Sequence, residues 1–151
     1  MKKIVMVAGV LAAVTFTLNA AADDCSLSIE SNDQMKFNTS EIVLPKSCEE
    51  VSITLTHTGK LPKAVMGHNI VITQKSDEAD TIRDGGLAGA ASHYVKEDDE
   101  RVIASSELIG GGESTTFTIK PSDLKPEQDY TFFCSFPGHA ALMKGTVKVE
   151  G

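Results

Sequence analysis

Short segments in which apolar and polar residues alternate recur along most of this chain, and they constrain its fold more than any other feature. Residues 51–56 and 145–149 alternate in this way, whereas residues 69–73 and 130–134 are more continuously apolar. Alternation predicts a strand with one face in water, and a continuous apolar run predicts a strand buried on both faces. Roughly seven or eight such segments, separated by turns that contain Gly, Pro or Asp, predict an all-β fold, a two-sheet antiparallel sandwich.

One segment departs from the strand pattern. Ser76 is followed by acidic residues, as at the start of a helix, and Gly85 and Gly86 resemble a helix end. We therefore expect one short helix outside the sandwich. The polar residues 89–101 that follow predict an excursion outside the sheets.

The chain begins with features of a secretory signal. Lys2 and Lys3 precede the apolar residues 4–18, and small residues end at Ala22. We expect cleavage near Ala22, which removes residues 1–22 and leaves residues 23–151 as one domain. An uncleaved membrane anchor is less favoured, because the apolar stretch is shorter than the roughly 20 residues of a transmembrane helix.

The net charge limits the partners. The whole chain carries −7, and loss of the two early lysines makes it more negative. Such a charge argues against binding to nucleic acids or anionic membranes. It permits attraction to basic partners, although solubility alone also explains runs such as residues 97–100.

Three cysteines in an exported chain leave one without a partner. Cys25 lies just after the cleavage site and Cys48 precedes a strand, so we expect these two to form a disulfide. Cys134 is then a free thiol. A metal site made of all three cysteines is the alternative, but their spacing matches no paired-cysteine zinc pattern.

The free thiol lies in a segment rich in metal-binding side chains. Cys134, His139 and Met143 follow one another closely, and Pro137 and Gly138 predict a turn that folds the segment back. Taken singly, the three residues have ordinary structural interpretations, as buried or orienting side chains. Together, soft sulfur ligands and imidazole favour copper in an electron-transfer site, which one more histidine would complete.

Three further histidines are candidates for that position. His68 leads directly into the buried strand at residues 70–72, where a fixed backbone can hold an imidazole. His57 follows a strand and suits a partly buried structural residue. His93 lies in a polar segment, where we expect it to be exposed. These local cues favour His68 but leave the choice open.

Four segments resemble bacterial members of the blue-copper cupredoxin family: residues 32–38, 61–69, 101–104 and 132–145. The resemblance covers nearly all of residues 23–151 and implies a Greek-key, cupredoxin-like sandwich that binds one copper ion. It implies strong ligands at His68, Cys134 and His139, a long axial ligand at Met143, and a weak axial contact from the Gly67 carbonyl.

The same resemblance implies roles for neighbouring residues. Backbone N–H groups of Asn69 and Phe136 would bond the cysteine sulfur, the Asn69 side chain would reach towards Ser135, and His57 would lie buried beside the metal. An apolar patch around the ring edge of His139 would dock redox partners. Its expected members are Leu61, Val65, Met66, Phe136, Pro137, His139 and Ala141.

This chain departs from those relatives at three positions. It has no Trp, and we expect Ile70 to occupy the core position where relatives commonly carry one. Gly86 replaces a Met near the patch, and Ser105 replaces a surface histidine found in some relatives. Nothing functional is therefore expected at Ser105.

The resemblance implies a monomeric periplasmic carrier of single electrons, cycling between Cu(I) and Cu(II), between proteins such as cytochrome c and a terminal reductase. A protein that stores or delivers copper is the alternative from another class. An enzyme is disfavoured, because four protein groups around the metal leave no open position for substrate.

Overall fold

The structure is a computed structural model that describes residues 24–151. The expected signal peptide, residues 1–22, and its cleavage site lie outside the described residues. No helix within the described range is long and apolar enough to cross a membrane. The strands, in chain order, are β1 (Ser26–Asn32), β2 (Lys36–Phe37), β3 (Glu41–Pro45), β4 (Val51–His57), β5 (Val71–Gln74), β6 (Val102–Ser105), β7 (Ser114–Ile119), β8 (Tyr130–Phe133) and β9 (Lys144–Glu150).

These strands form a two-sheet sandwich, as the sequence predicts. One sheet has the order β2-β1-β4-β7 and the other the order β3-β9-β8-β5-β6. Strand β4 shows the expected alternation, with Val51, Ile53 and Leu55 fully buried in the core. The continuously apolar strands β5 and β8 are interior strands of the five-stranded sheet. Ile70, expected to fill a core position, is fully buried in the same core cluster.

Two strand pairs differ from the antiparallel arrangement predicted for the sandwich. Strand β1 pairs with β4 in parallel, and β3 pairs with β9 in parallel. Parallel neighbours need a long crossover rather than a tight turn. Here the chain leaves β1 and runs through β3, in the opposite sheet, before it returns as β4. Hydrophobic alternation identifies such strands but does not encode their direction or order.

The predicted disulfide between Cys25 and Cys48 is present. It joins the residue before β1 to the turn before β4, at one end of their parallel pairing. Cys134 is the free cysteine among the described residues, and it is buried.

The predicted short helix is present as α2 (Glu78–Ala88), but its ends differ from the expectation; a one-turn helix, α1 (Lys63–Met66), was not predicted. Ser76 lies in a preceding 3₁₀ turn, and no side chain within residues 24–151 caps α2. At the other end, the helix continues through Gly85 and Gly86 and stops at Gly89, whose φ of 80° ends the helical path. The 3₁₀ turns are Lys75–Asp77, Ala90–Ser92, Pro121–Asp123 and His139–Ala141.

Gly85 is a contact residue rather than a helix terminator. It is buried, and a Cβ atom at this position would lie 2.2 Å from the backbone oxygen of Tyr94. Arg101 also holds residues 89–101 to α2. Its guanidinium lies 2.7 Å from Asp84, which belongs to α2, and 2.6 Å from Asp99, which belongs to the segment itself. We call residues 89–101 the support loop, because they lie against α2 and, as shown below, reach the candidate metal centre.

Gly85→Ala should destabilise the metal-free protein by about 2 kcal/mol or more, because the new methyl group collides with the Tyr94 carbonyl. Gly86→Ala is the matched control, since a Cβ atom there has no neighbour within 4 Å in the described part of the chain. Alanine in a helix interior should stabilise by roughly 0.5 kcal/mol or more. Urea denaturation measures both changes, and equal effects would contradict the packing role of Gly85.

Candidate metal centre

The pairing of β5 with β8 brings two predicted ligands to the same end of the five-stranded sheet. Val71 at the start of β5 lies opposite Phe133 at the end of β8. His68 precedes Val71 by three residues, and Cys134 follows Phe133 directly. Two 2.9 Å backbone hydrogen bonds with Ile109 fix the His68 main chain. The two side chains therefore meet although they are far apart in sequence.

The connection between β8 and β9 supplies the third donor. The backbone N–H of Cys134 donates to the Met143 carbonyl at 3.0 Å, which closes the connection at its base. Within it, Gly138 takes a φ of 84°, and the N–H of His139 donates to the Phe136 carbonyl at 3.0 Å. The turn predicted at Pro137 and Gly138 thus directs His139 back towards the thiol.

Three side-chain donors converge in a buried cluster. The sulfur of Cys134 lies 3.7 Å from Nδ1 of His139 and 3.9 Å from Nδ1 of His68, and the two Nδ1 atoms are 3.3 Å apart. The three residues are at most 4% exposed. All three ligand atoms lie within 4.8 Å of one another, which is the spacing of a group that can surround one ion. The Gly67 carbonyl oxygen is 3.9 Å from the sulfur.

The histidines have the protonation that metal binding needs. Nε2 of His68 lies 2.8 Å from the Asn32 carbonyl, so this nitrogen carries the proton and leaves the Nδ1 lone pair free. Burial lowers the pKa of His68 to about 4, although the bond to Asn32 opposes this shift. Burial also lowers the pKa of His139. Both imidazoles are therefore neutral at pH 7.

The cysteine is protonated in the absence of a metal. Burial raises the pKa of the Cys134 thiol to about 11, against the opposing effect of backbone N–H groups of Asn69 and Phe136, which bond the sulfur. A metal ion must therefore displace the thiol proton on binding. One soft thiolate and two imidazoles, all buried, form a donor set that suits copper. Met143 is fully buried and is joined to Cys134 through the main-chain bond described above.

The Asn69 side chain joins the two ligand-bearing segments. Its Nδ2 donates to Ser135 Oγ and to the His93 carbonyl, both at 2.8 Å, and its Oδ1 accepts the Ser135 N–H at 2.9 Å. Asn69 is fully buried. Because buried polar groups are costly to leave without partners, this set of bonds fixes the spacing between the segments that carry His68 and Cys134.

His57 lies behind His68 rather than among the donors. The two rings are stacked with centroids 4.4 Å apart, and His57 is fully buried. Its Nδ1 accepts the Gly59 N–H at 3.0 Å, and its Nε2 lies 2.9 Å from the Met66 carbonyl. The ring therefore supports the position of His68.

His93 was expected to be exposed, and this expectation is wrong. The residue is half-buried and takes a left-handed conformation with a φ of 55°. Its Nδ1 accepts the Leu108 N–H at 3.1 Å, while its carbonyl accepts from Asn69. The polar sequence around His93 did not predict these contacts, because they depend on a left-handed backbone conformation that has no sequence motif here.

The expected docking residues are largely on the surface. Leu61 is 38% exposed and Val65 is 57% exposed, whereas His139 is only 4% exposed. The His139 ring packs against the ring of Phe136, with the two centroids 4.5 Å apart. Leu142, at 66% exposed, adjoins this region in sequence and was missed. Of the remaining expected residues, Pro137 and Ala141 are exposed, and Met66 and Phe136 are half-buried.

Comparisons with known proteins find copper-binding relatives. A sequence model of copper-binding proteins of the plastocyanin/azurin family matches residues 23–150. An azurin of Alcaligenes faecalis is 56% identical over 125 residues, covering 83% of this chain and 98% of that protein. An azurin of Pseudomonas aeruginosa is 48% identical over 129 residues, covering 85% and 87%. A solved azurin structure from Methylomonas sp. strain J matches with a TM-score of 0.81 at 42% identity, covering 84% and 98%.

Asn69→Leu should destabilise the metal-free protein by about 2–4 kcal/mol, because it leaves the Ser135 N–H and the His93 carbonyl without this partner inside the protein. Ser135→Ala is the control. It removes one of the bonds to Asn69 and should cost about 1 kcal/mol. Urea denaturation compares the two variants, and an unchanged midpoint for the leucine variant would contradict the joining role of Asn69.

Proposed function

The chain belongs to the plastocyanin/azurin family of copper-binding proteins, and on this premise we propose that it is a periplasmic carrier of single electrons. The proposed strong ligands are His68, Cys134 and His139, with Met143 as a long axial ligand and the Gly67 carbonyl as a weak one. Bound copper supplies one-electron chemistry by cycling between Cu(I) and Cu(II). The observation that carries the proposal is the convergence of three buried donor atoms, from His68, Cys134 and His139, on one point.

The surroundings of the donors favour electron transfer. The ligand segments are held by backbone bonds and by the Asn69 side chain, so the donors need little movement when the charge of the site changes. Backbone N–H groups of Asn69 and Phe136 at the sulfur moderate its electron donation. Because protein groups would supply all the ligands of the proposed site, it would offer no open position for a substrate, and we propose no enzymatic turnover.

The expected docking patch would offer the electron a route through His139. The ring of this proposed ligand packs on Phe136, a half-buried residue of that patch, so partners docked there would approach the site through its imidazole. We propose a cytochrome c-type donor and a reductase as acceptor. A small apolar contact suits partners that must separate after each transfer.

Export and domain organisation complete the proposal. The family model begins to match at residue 23, which agrees with removal of residues 1–22 near Ala22 and with one plastocyanin-like domain over residues 23–151. The disulfide between Cys25 and Cys48 is consistent with an oxidising compartment.

Loading with Cu(II) should produce an intense absorption near roughly 600 nm, from thiolate-to-copper charge transfer. Cys134→Ser should abolish this band, since a hydroxyl replaces the thiolate. Met143→Leu is the comparison variant, and it should keep a coloured site while shifting the reduction potential. A colourless wild-type protein, or a serine variant that stays blue, would contradict the proposed ligand set.

The same sample separates a carrier from a protein that stores or delivers copper. A carrier should pass repeatedly between its two oxidation states and keep its copper when challenged with a chelator in each. Prompt release of the ion in one state would support delivery instead.

Val65→Glu should slow electron exchange with a cytochrome c-type protein, because it places a charge on an exposed residue within the proposed docking patch. Ser28→Glu, on the outer face of β1, adds the same charge elsewhere and should leave the rate unchanged. Stopped-flow kinetics should show about a tenfold difference in rate between the two variants, which corresponds to about 1.4 kcal/mol of activation free energy. Equal rates in both variants would remove this surface from the proposal.

A further inference from the structure

The support loop contacts the metal centre through His93 and Tyr94, two consecutive residues in the left-handed conformation. Their φ values are 55° and 57°. Residues other than glycine rarely adopt this conformation, so the surrounding contacts must hold it in place. The contacts of His93 and Tyr94 are the ones that can supply this support.

His93 holds two different segments of the chain at once. Its ring nitrogen Nδ1 accepts the backbone N–H of Leu108 at 3.1 Å, and its backbone carbonyl accepts the Asn69 carboxamide at 2.8 Å. A backbone N–H can donate only to a ring nitrogen without a proton, so the proton of the neutral ring is on Nε2. Leu108 is 3% exposed, and its amide therefore depends on this acceptor rather than on water.

Both segments flank His68. Ile109, which follows Leu108, exchanges two 2.9 Å backbone bonds with His68, and Asn69 follows His68 directly. The Leu108 side chain also lies beside Gly67, close enough that a Cβ atom on that glycine would be 3.1 Å from it. A shift of the Leu108 segment would therefore move the backbone that carries the His68 imidazole.

Tyr94 packs against the segment that carries His139. Its ring meets the ring of Phe136 edge to face at 5.3 Å, and Phe136 lies against His139 at 4.5 Å. The support loop is also held to α2, because the Tyr94 carbonyl packs on Gly85 and Arg101 binds Asp84. The support loop thus connects a helix outside the sandwich to both ligand-bearing segments.

We propose that His93 is a positioning residue of the copper site, which acts through the Leu108 amide and the Asn69 carboxamide to fix the His68 backbone and the contact of Asn69 with the cysteine sulfur. This inference rests on the proposed function. It assigns to the support loop a part in setting the redox properties of the site, although none of its residues is among the donors.

Three substitutions isolate the ring nitrogen. His93→Asn is the rescue variant, because its carboxamide oxygen can replace Nδ1 as acceptor and asparagine tolerates the left-handed conformation. His93→Leu keeps apolar bulk but has no acceptor. His93→Gly also lacks the acceptor, yet it adopts the left-handed conformation without strain, so it controls for backbone effects and for a leucine variant that fails to fold.

Three measurements follow the effect of each substitution from the Leu108 amide to the copper site. Amide hydrogen exchange of Leu108 in the metal-free protein should accelerate about tenfold in the leucine and glycine variants, and it should stay as in wild type in the asparagine variant. In the copper-loaded protein, the same two variants should release copper to a chelator on the order of tenfold faster. Their redox equilibrium with a reference couple should shift towards the oxidised form, since a weaker N–H contact leaves the sulfur a stronger donor.

The outcomes separate this inference from the proposed function. A wild-type protein without the blue band would contradict the copper site itself. With the band present, unchanged redox equilibrium in the leucine and glycine variants would overturn the role of His93, even if their thermal stability fell. A change confined to the leucine variant, or one equally large in the asparagine variant, would also overturn it, since neither pattern follows the acceptor atom.

Discussion

The antiparallel pairing of β5 with β8 is the constraint on which the candidate metal centre depends. It places the start of β5 beside the end of β8, so that His68 and Cys134 lie at the same end of the sheet. The pairing of β8 with β9 closes the loop that returns His139 to the same point. The donors are therefore brought together by strands whose own stability comes from core packing.

A second layer of polar contacts converts this proximity into fixed geometry. The Asn69 side chain, the Asn32 carbonyl and the stacked ring of His57 each restrain a group next to a donor. Because the site is buried, a displaced polar group would lose its partner without gaining water. The same burial keeps the imidazoles neutral and the thiol protonated, so the metal-free cluster carries no charge that would force it apart.

Local sequence patterns predicted the strands, the short helix and the grouping of Cys134, His139 and Met143. They favoured His68 among the other histidines, but the family resemblance was needed to identify it. They could not predict the parallel partners of β1 and β3, because alternation does not specify strand order. The predicted end of the helix was wrong because Gly85 packs against the Tyr94 carbonyl instead of ending the helix, and this contact forms only in the folded chain. His93 was misjudged for the same reason, since its partners Asn69 and Leu108 lie 24 and 15 residues away. Tertiary contacts, rather than propensity, decided each of these positions.

Strand pairing and the polar contacts around the donors, rather than a bound metal, fix the positions of His68, Cys134 and His139. Crystal structures of the metal-free and copper-loaded forms of the same protein test this positioning most directly. His68, Cys134 and His139 should keep the same side-chain conformations in both forms, and Asn69 should keep its bonds to Ser135 and His93. A ligand that turns away in the metal-free form, or a loop at His139 that refolds on metal binding, would contradict it.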